Sequence, residues 1–253
     1  MDLEDRMKEY EKSSRVKLPE NIPIILRLDG RAFHTLTRGL NKPFDLKFIK
    51  LMNAIAIDLC DNEIMNAKMA YIQSDEISIL IYKSVFSDSW FKNDIQKMVS
   101  ISASRASSFA IRFDRASNQI FSSKNIIFDS RVFVLPVKEV CNYFIWRQRD
   151  WERNSIQMLA RKYYSQKQLQ HKNREDMHEM IHQKGDNWND LPTMLRRGRC
   201  IVPVKKKVYV SNKHFTGDVE RNVWIADSDI PIFTKDRNYI EKYLIDDDER
   251  NKD

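Results

Sequence analysis

Three carboxylates stand where strand-like runs give way to turns. Asp29 closes the run IILRLDG, and Asp75 and Glu76 lie inside QSDE, between two apolar stretches. Hard oxygen donors placed this way suit Mg²⁺, which commonly takes one or two carboxylates plus substrate phosphates. A pair of such ions activates an attacking hydroxyl and steadies a departing pyrophosphate. Asp and Ser are also ordinary turn formers, and Gly30 suits a tight turn, so each acid taken singly reads as a turn residue. Taken together on one frame they read as a metal site. Adjacent residues on a regular strand point to opposite faces, so Asp75 and Glu76 share a site only if the turn twists one of them.

The elements that would position these acids follow a readable order. Ile24, Leu26 and Leu28 alternate with Ile25, Arg27 and Asp29, which predicts a strand with Arg27 and Asp29 on one face. Phe48, Leu51, Met52, Ile55 and Leu59 recur at helical spacing. Residues 68–73 and 77–82 read as two strands with Ser74, Asp75 and Glu76 at their tight junction. Ser89 is a candidate cap for a helix carrying Trp90, Ile95, Met98, Val99, Ala106 and Phe109. Residues 126–135 read as a fourth strand stopped by Pro136. The order β-α-β-β-α-β predicts an α+β chain with a ferredoxin-like, split βαβ sheet. In that sheet the first strand neighbours the hairpin, so Asp29 and Asp75 can converge.

Residues 1–136 therefore read as one ferredoxin-like unit, which the resemblance described below makes a palm-like catalytic domain, and residues 137–253 as a basic, mainly helical extension that completes it. Residues 138–183 predict mostly helix, residues 199–225 a small extra hairpin, and the charged tail from Asp246 a frayed end. Only five glycines occur, and no phosphate-binding glycine motif can be written through them. Bound phosphates would have to be held by metal ions and basic side chains.

The segments RLDGRAFH (27–34), NKPFD (41–45) and QSDE (73–76) resemble the tRNA-His guanylyltransferase superfamily, the 3′–5′ nucleotide polymerases. FDSRVFVLP (128–136), WRQRDWERNS (146–155) and GDNWNDLPTMLRRG (185–198) extend the resemblance over roughly residues 20–200. It implies a palm shared with polymerases and nucleotidyl cyclases. Two Mg²⁺ ions would be held by Asp29, Asp75 and the Gly30 carbonyl, with Glu76 completing the acidic cluster. Arg27, Arg31, Ala32, Phe33, His34, Lys42, Ser74 and Asp75 would surround the nucleoside triphosphate. The implied chemistry begins with ATP adenylylating a 5′-monophosphorylated tRNA. The 3′-hydroxyl of GTP or another nucleoside triphosphate then attacks the activated phosphate. In such displacements, positioning and charge neutralisation carry most of the catalysis. Family members assemble as tetramers, which makes a homotetramer the expectation here.

One departure bears on the substrate. Eukaryotic members read HINN where this chain has Glu152-Arg153-Asn154-Ser155. That change resembles the guanylyltransferase-like branch, which repairs 5′-truncated tRNA by templated addition. Repair is therefore favoured over addition of the extra guanosine to tRNA-His. A nucleotidyl cyclase would leave the basic C-terminal region unused. A non-enzymatic RNA-binding protein would bind RNA without needing Asp29 or Asp75. Glu152 is otherwise an ordinary helix-surface acid.

His178-Glu179-Met180-Ile181-His182 spells HExxH, but the expected third zinc ligand position holds Trp188, which cannot ligate. Basic residues gather at Arg161, Lys162, Lys167, Lys172 and Arg174, and again at Arg196, Arg197, Arg199, Lys205, Lys206 and Lys207. With Tyr163, Tyr164 and Trp188 among them, they read as an RNA-backbone surface with aromatics for an end base. Arg105, Arg131 and Asn154 are further candidates for RNA contact. Singly, each basic residue reads as ordinary exposed charge.

A chain of 253 residues can bury its own core without disulfides. Hydrophobic content of 42% with 31% charged residues excludes a disordered chain, and no apolar run is long enough to span a membrane. The charged N-terminus lacks the apolar core of a secretory signal. Three widely separated cysteines fit a reducing cytoplasm. The net charge of +7 agrees with a polyanionic partner.

Overall fold

The structure is a computed structural model that describes residues 1–82, 88–117, 121, 125–211 and 215–245. Its strands are β1 (Ile24–Gly30), β2 (Ala67–Gln73), β3 (Glu76–Ile81), β4 (Phe128–Val134), β5 (Arg199–Ser211) and β6 (Thr216–Asp227). Its helices are α1 (Leu3–Lys12), α2 (Phe33–Leu36), α3 (Leu46–Cys60), α4 (Ile95–Ala116), α5 (Val137–Ala160), α6 (Gln166–Leu169), α7 (Arg174–His182), α8 (Thr193–Arg196) and α9 (Asn238–Glu241). The expected tail from Asp246 lies outside the described residues.

The strands form one antiparallel sheet in the order β4-β1-β3-β2-β5-β6. The first four reproduce the ferredoxin-like arrangement, and the fold is α+β. The hairpin near 199–225 does not stand apart. β5 pairs with β2 through Tyr71↔Cys200 and Ile72↔Arg199, so the C-terminal half extends the palm sheet.

Each face of the sheet has its own cover. Leu26, Leu28, Ile72 and Ile77 pack with Leu51, Ile55 and Leu59 of α3 and Met98 and Ala106 of α4. Ile25, Tyr71 and Leu80 pack on the other side with Val140 and Phe144 of α5, joined by Ile230 and Phe233. Arg27 and Asp29 therefore project toward the face that α5 covers. A third cluster joins α5 to α7 through Ile156, Leu159, Met177, Ile181 and Trp188.

Helix starts follow capping chemistry. Asp45 accepts from the backbone N–H groups of Lys47 and Phe48 and begins α3. The cap of α4 is Asp94, which accepts from Lys97 N, and not Ser89. Ser89 precedes a separate 3-10 turn over Trp90–Asn93, and its hydroxyl is buried without a partner. Positive φ values at Phe91, Lys92 and Asn93 break the chain between the two, so a cap at Ser89 could not reach α4.

Candidate active site

The acidic site forms where β1 ends beside the β2–β3 turn. Asp29 lies opposite Glu76 in the β1–β3 register, and Gly30 N donates to the Asp75 carbonyl at 3.1 Å. Ser74 takes a φ of 46°, a value rare for any residue but glycine. That twist separates Asp75 from Glu76. Asp75 lines an open pocket of about 430 Å³, while Glu76 turns under α5. Only glycine fits at position 30, because an added Cβ would lie 2.3 Å from the Phe33 ring.

Asp29 and Asp75 have the chemistry of a cation site. The Asp29 Oδ2 is buried without a hydrogen bond, 3.2 Å from Arg27 Nε and 3.2 Å from Arg131 Nη2. Burial, then the charges of Asp29 and Glu76, push the Asp75 carboxyl above its ordinary range, against its hydrogen bonds to Ser74 and backbone. Two mutually repelling carboxylates fit a divalent cation, which would relieve the repulsion and take over Asp29 Oδ2 from the two guanidinium groups that now face it.

Glu76 is placed differently from the third member of an acidic cluster. Arg147 grips it with Nε at 2.7 Å from Oε1 and Nη2 at 2.6 Å from Oε2. Arg27 Nη2 adds a contact at 2.9 Å, and Ser78 Oγ donates at 3.2 Å. Both lone-pair sets are thus committed to cations, and among the described residues no three His, Cys, Asp or Glu side chains converge on a metal position. Sequence reading passed over Arg147. An arginine inside WRQRD carries no local sign that it is buried, and only the approach of α5 to β3 shows its partner.

The pocket gathers much of the expected nucleotide set. Gly30, Ala32, Phe33 and His34 line one wall, with Lys42, Ser74 and Asp75 beside them. The Lys42 ammonium donates to the Thr37 carbonyl at 3.2 Å, leaving two protons for an anion. Arg27 lies outside the lining, on the α5 face between Asp29 and Glu76. Arg31 is exposed and its backbone N–H bonds Ile127. Trp151 and Met158 of α5, Arg161 at its C-cap and Leu195 close the cavity; Arg161 was expected as an RNA contact and the others were not named.

The proposed RNA contacts scatter. Arg105 pins α4 to α3 through Asp58, with Nε 2.7 Å from Oδ2. Asp58 lies nine residues beyond Ile49 of the pocket, roughly 13 Å along the helix at 1.5 Å per residue. Arg105 thus has a structural partner in Asp58, while its side chain stays 37% exposed. Arg199 is 2% exposed and lines the pocket, because pairing with Ile72 carries it inside. Trp188 is buried and donates to Ser155 Oγ at 3.0 Å, so it cannot stack on a base. Arg131 sits beside Asp29 and Asp129. Asn154 donates weakly to Asp150, and Lys162 pairs with Asp186 at 2.9 Å. Lys172 is exposed, and Arg196 and Arg197 are half-buried, donating to the Leu191 and Ile230 carbonyls. Glu152 faces Arg174 at 3.9 Å, and burial pushes its carboxyl up against the pull of Arg174 and Arg197. In α7, His178 packs edge-on against Trp188.

A family model described as tRNA-His guanylyltransferase matches residues 4–136. The chain belongs to the tRNA-His guanylyltransferase family. A probable guanylyltransferase of this family from Dictyostelium discoideum is 30% identical, covering 78% of this chain and 80% of its own. Another, from Drosophila melanogaster, is 28% identical over 82% of this chain and 74% of its own. A bacterial guanylyltransferase-like protein in complex with ATP superposes with a TM-score of 0.85 at 41% identity, over 96% of this chain and 99% of that one. A bacterial guanylyltransferase-like protein in complex with GTP gives 0.79 at 41% identity, over 96% and 98%. Members of the family are nucleotidyltransferases, and this chain is one of them.

Proposed function

We propose that this enzyme adds nucleotides to the 5′ end of tRNA in the 3′–5′ direction, repairing 5′-truncated molecules against the pairing strand after ATP activates the 5′-phosphate. The observation that carries the reading is the end of β1 held to the β2–β3 turn, where the Asp29 charge acts on Asp75 in the wall of a pocket large enough for a nucleotide. The bacterial relatives bound to ATP and to GTP support nucleoside triphosphates as its substrates. Glu152, standing where HINN has histidine, supports repair over guanosine addition to tRNA-His.

Asp29, Asp75 and the Gly30 carbonyl would hold Mg²⁺. When bound, two such ions supply charge neutralisation and a polarised hydroxyl. Lys42 and His34 present donors to the triphosphate from the pocket wall. Arg27 and Arg131 hold Asp29 in place until it takes up its charge partner. Exposed Arg161 and Lys172 offer contacts to the RNA backbone. The homotetramer implied by the family resemblance belongs to the same proposal, and light scattering tests it.

The deciding experiment supplies a tRNA lacking its first 5′ nucleotide with ATP, Mg²⁺ and each nucleoside triphosphate in turn. The expected product carries the nucleotide that pairs with the 3′ strand. Addition of guanosine whatever the opposing base would refute templated repair and favour the tRNA-His reaction.

A further inference from the structure

Two buried residues of the pocket wall take no part in the acidic site. Arg199 is 2% exposed, and its Nε donates to Asn53 Oδ1 of α3 at 2.8 Å. Among the described residues no carboxylate pairs with this guanidinium, and burial pulls it down to about 10 from its ordinary value. An unpaired buried cation is strongly unfavourable unless something else supplies acceptors. Trp151 is 3% exposed, and its Nε1–H is buried without a partner. Both residues line the same cavity.

Their surroundings indicate what they receive. Ile49, Met158 and Leu195 line the cavity with them, and Phe44 meets the Trp151 ring edge-on at 6.4 Å. A triphosphate calls for charge and solvent. A partly apolar wall with an indole ring and one planar cationic donor instead suits a flat heteroaromatic ring with acceptor atoms on its edge. The acceptor common to adenine and guanine on the edge that arginine recognises is N7, to which guanine adds O6.

We propose that Arg199 recognises N7 of a purine nucleotide in this pocket, such as the activating ATP, giving the activation step a preference for purine over pyrimidine triphosphates. The proposal rests on the nucleotide-pocket reading and adds a specificity determinant to it. Asn53 fixes the arginine from α3. Gly198, at a φ of +83°, brings the chain into β5 so that the side chain enters the pocket.

The test is direct binding by isothermal titration of the full chain with Mg²⁺ and ATP, GTP, 7-deaza-ATP, 7-deaza-GTP or CTP. The deaza compounds replace N7 by C–H and leave the triphosphate unchanged. With the wild-type chain each deaza analogue should bind roughly tenfold more weakly than its parent, the loss of about one charge-assisted hydrogen bond. CTP should bind more weakly than either purine. Arg199→Met should bring ATP and 7-deaza-ATP to equal affinity, and Arg199→Lys should keep part of the difference. Equal wild-type affinity for parent and deaza analogue overturns the proposal without any variant. Arg199→Met weakening ATP, 7-deaza-ATP and CTP by one common factor also overturns it, since the arginine would then serve the phosphates or the fold. If neither ATP nor GTP binds, the nucleotide-pocket reading itself falls, a different result from parent and analogue binding alike.

Discussion

Removing Arg147 should expose how much of the site's rigidity rests on one buried ion pair. The Arg147 and Glu76 side chains are 6% and 7% exposed and meet through two short contacts, at 2.7 and 2.6 Å. Deleting one partner of such a pair costs about 3–5 kcal/mol, because the other charge stays buried. Arg147→Met leaves Glu76 with Arg27 at 2.9 Å and Ser78 at 3.2 Å, which places the expected loss near the low end, about 3 kcal/mol. Glu76→Gln keeps the shape and removes the charge. Arg147 then retains Asp150 at 3.0 Å, so a loss of about 2 kcal/mol is expected. If the two effects were independent, the double variant would lose about 5 kcal/mol; with direct coupling it should lose about 3. The assay is urea unfolding followed by tryptophan fluorescence, with midpoints compared at unchanged slope. A coupling below about 0.5 kcal/mol would refute the strut, since that is within the scatter of independent sites. A parallel readout separates the strut from a metal ligand. Glu76→Gln should keep the divalent-cation affinity that Asp29→Asn loses.

Four further outcomes are expected. Asp29→Ala and Asp75→Ala should each abolish 5′ addition while filter binding shows tRNA affinity largely intact; a variant at wild-type rate would remove that aspartate from the metal site. Gly198→Ala should cost about 2 kcal/mol or more in thermal unfolding, because φ is +83° and the new Cβ would meet the Tyr71 hydroxyl at 2.6 Å and the Ile72 carbonyl at 2.7 Å. At Asp45, burial works against the anion, but hydrogen bonds from Phe48, Asn41 and Lys47 outweigh it and hold the carboxyl below its ordinary 3.8. Its contribution is therefore complete above pH 3.8 and lost as pH falls through the lower folded value. Asp45→Ala should cost about 1 kcal/mol at neutral pH, a gap that closes in acid unfolding below that pH. Arg105→Met should leave tRNA affinity and its salt slope unchanged while lowering the melting temperature, since the arginine serves Asp58.

The palm and its acids were legible because their signals are local. Alternation over Ile24–Gly30 set the strand and put Arg27 and Asp29 on one face, and helical spacing marked α3. The order of elements then brought the end of β1 beside the β2–β3 turn, which is why Asp29 and Asp75 could be named from the chain alone. Three of the segments that carry the family resemblance, 27–34, 41–45 and 73–76, lie at or beside these strand ends and turns, and the others lie in β4, in α5 and around α8.

What stayed hidden depends on contacts between distant segments. Nothing in RRGRCIV distinguishes a surface arginine from a buried one; Arg199 goes inside because β5 pairs with β2 and Asn53 waits on α3. Whether Glu76 would face a metal or a guanidinium turned on the φ of Ser74 and on where α5 crosses the sheet. Trp188 read as a surface aromatic until α5 and α7 closed over it. Sequence by itself determined the order of the first four strands and put Asp29 and Asp75 at their ends, because periodicity and turn chemistry act between near neighbours. The tertiary structure decided which charges are buried and what they touch, because desolvation and pairing depend on groups that meet only when the chain has folded.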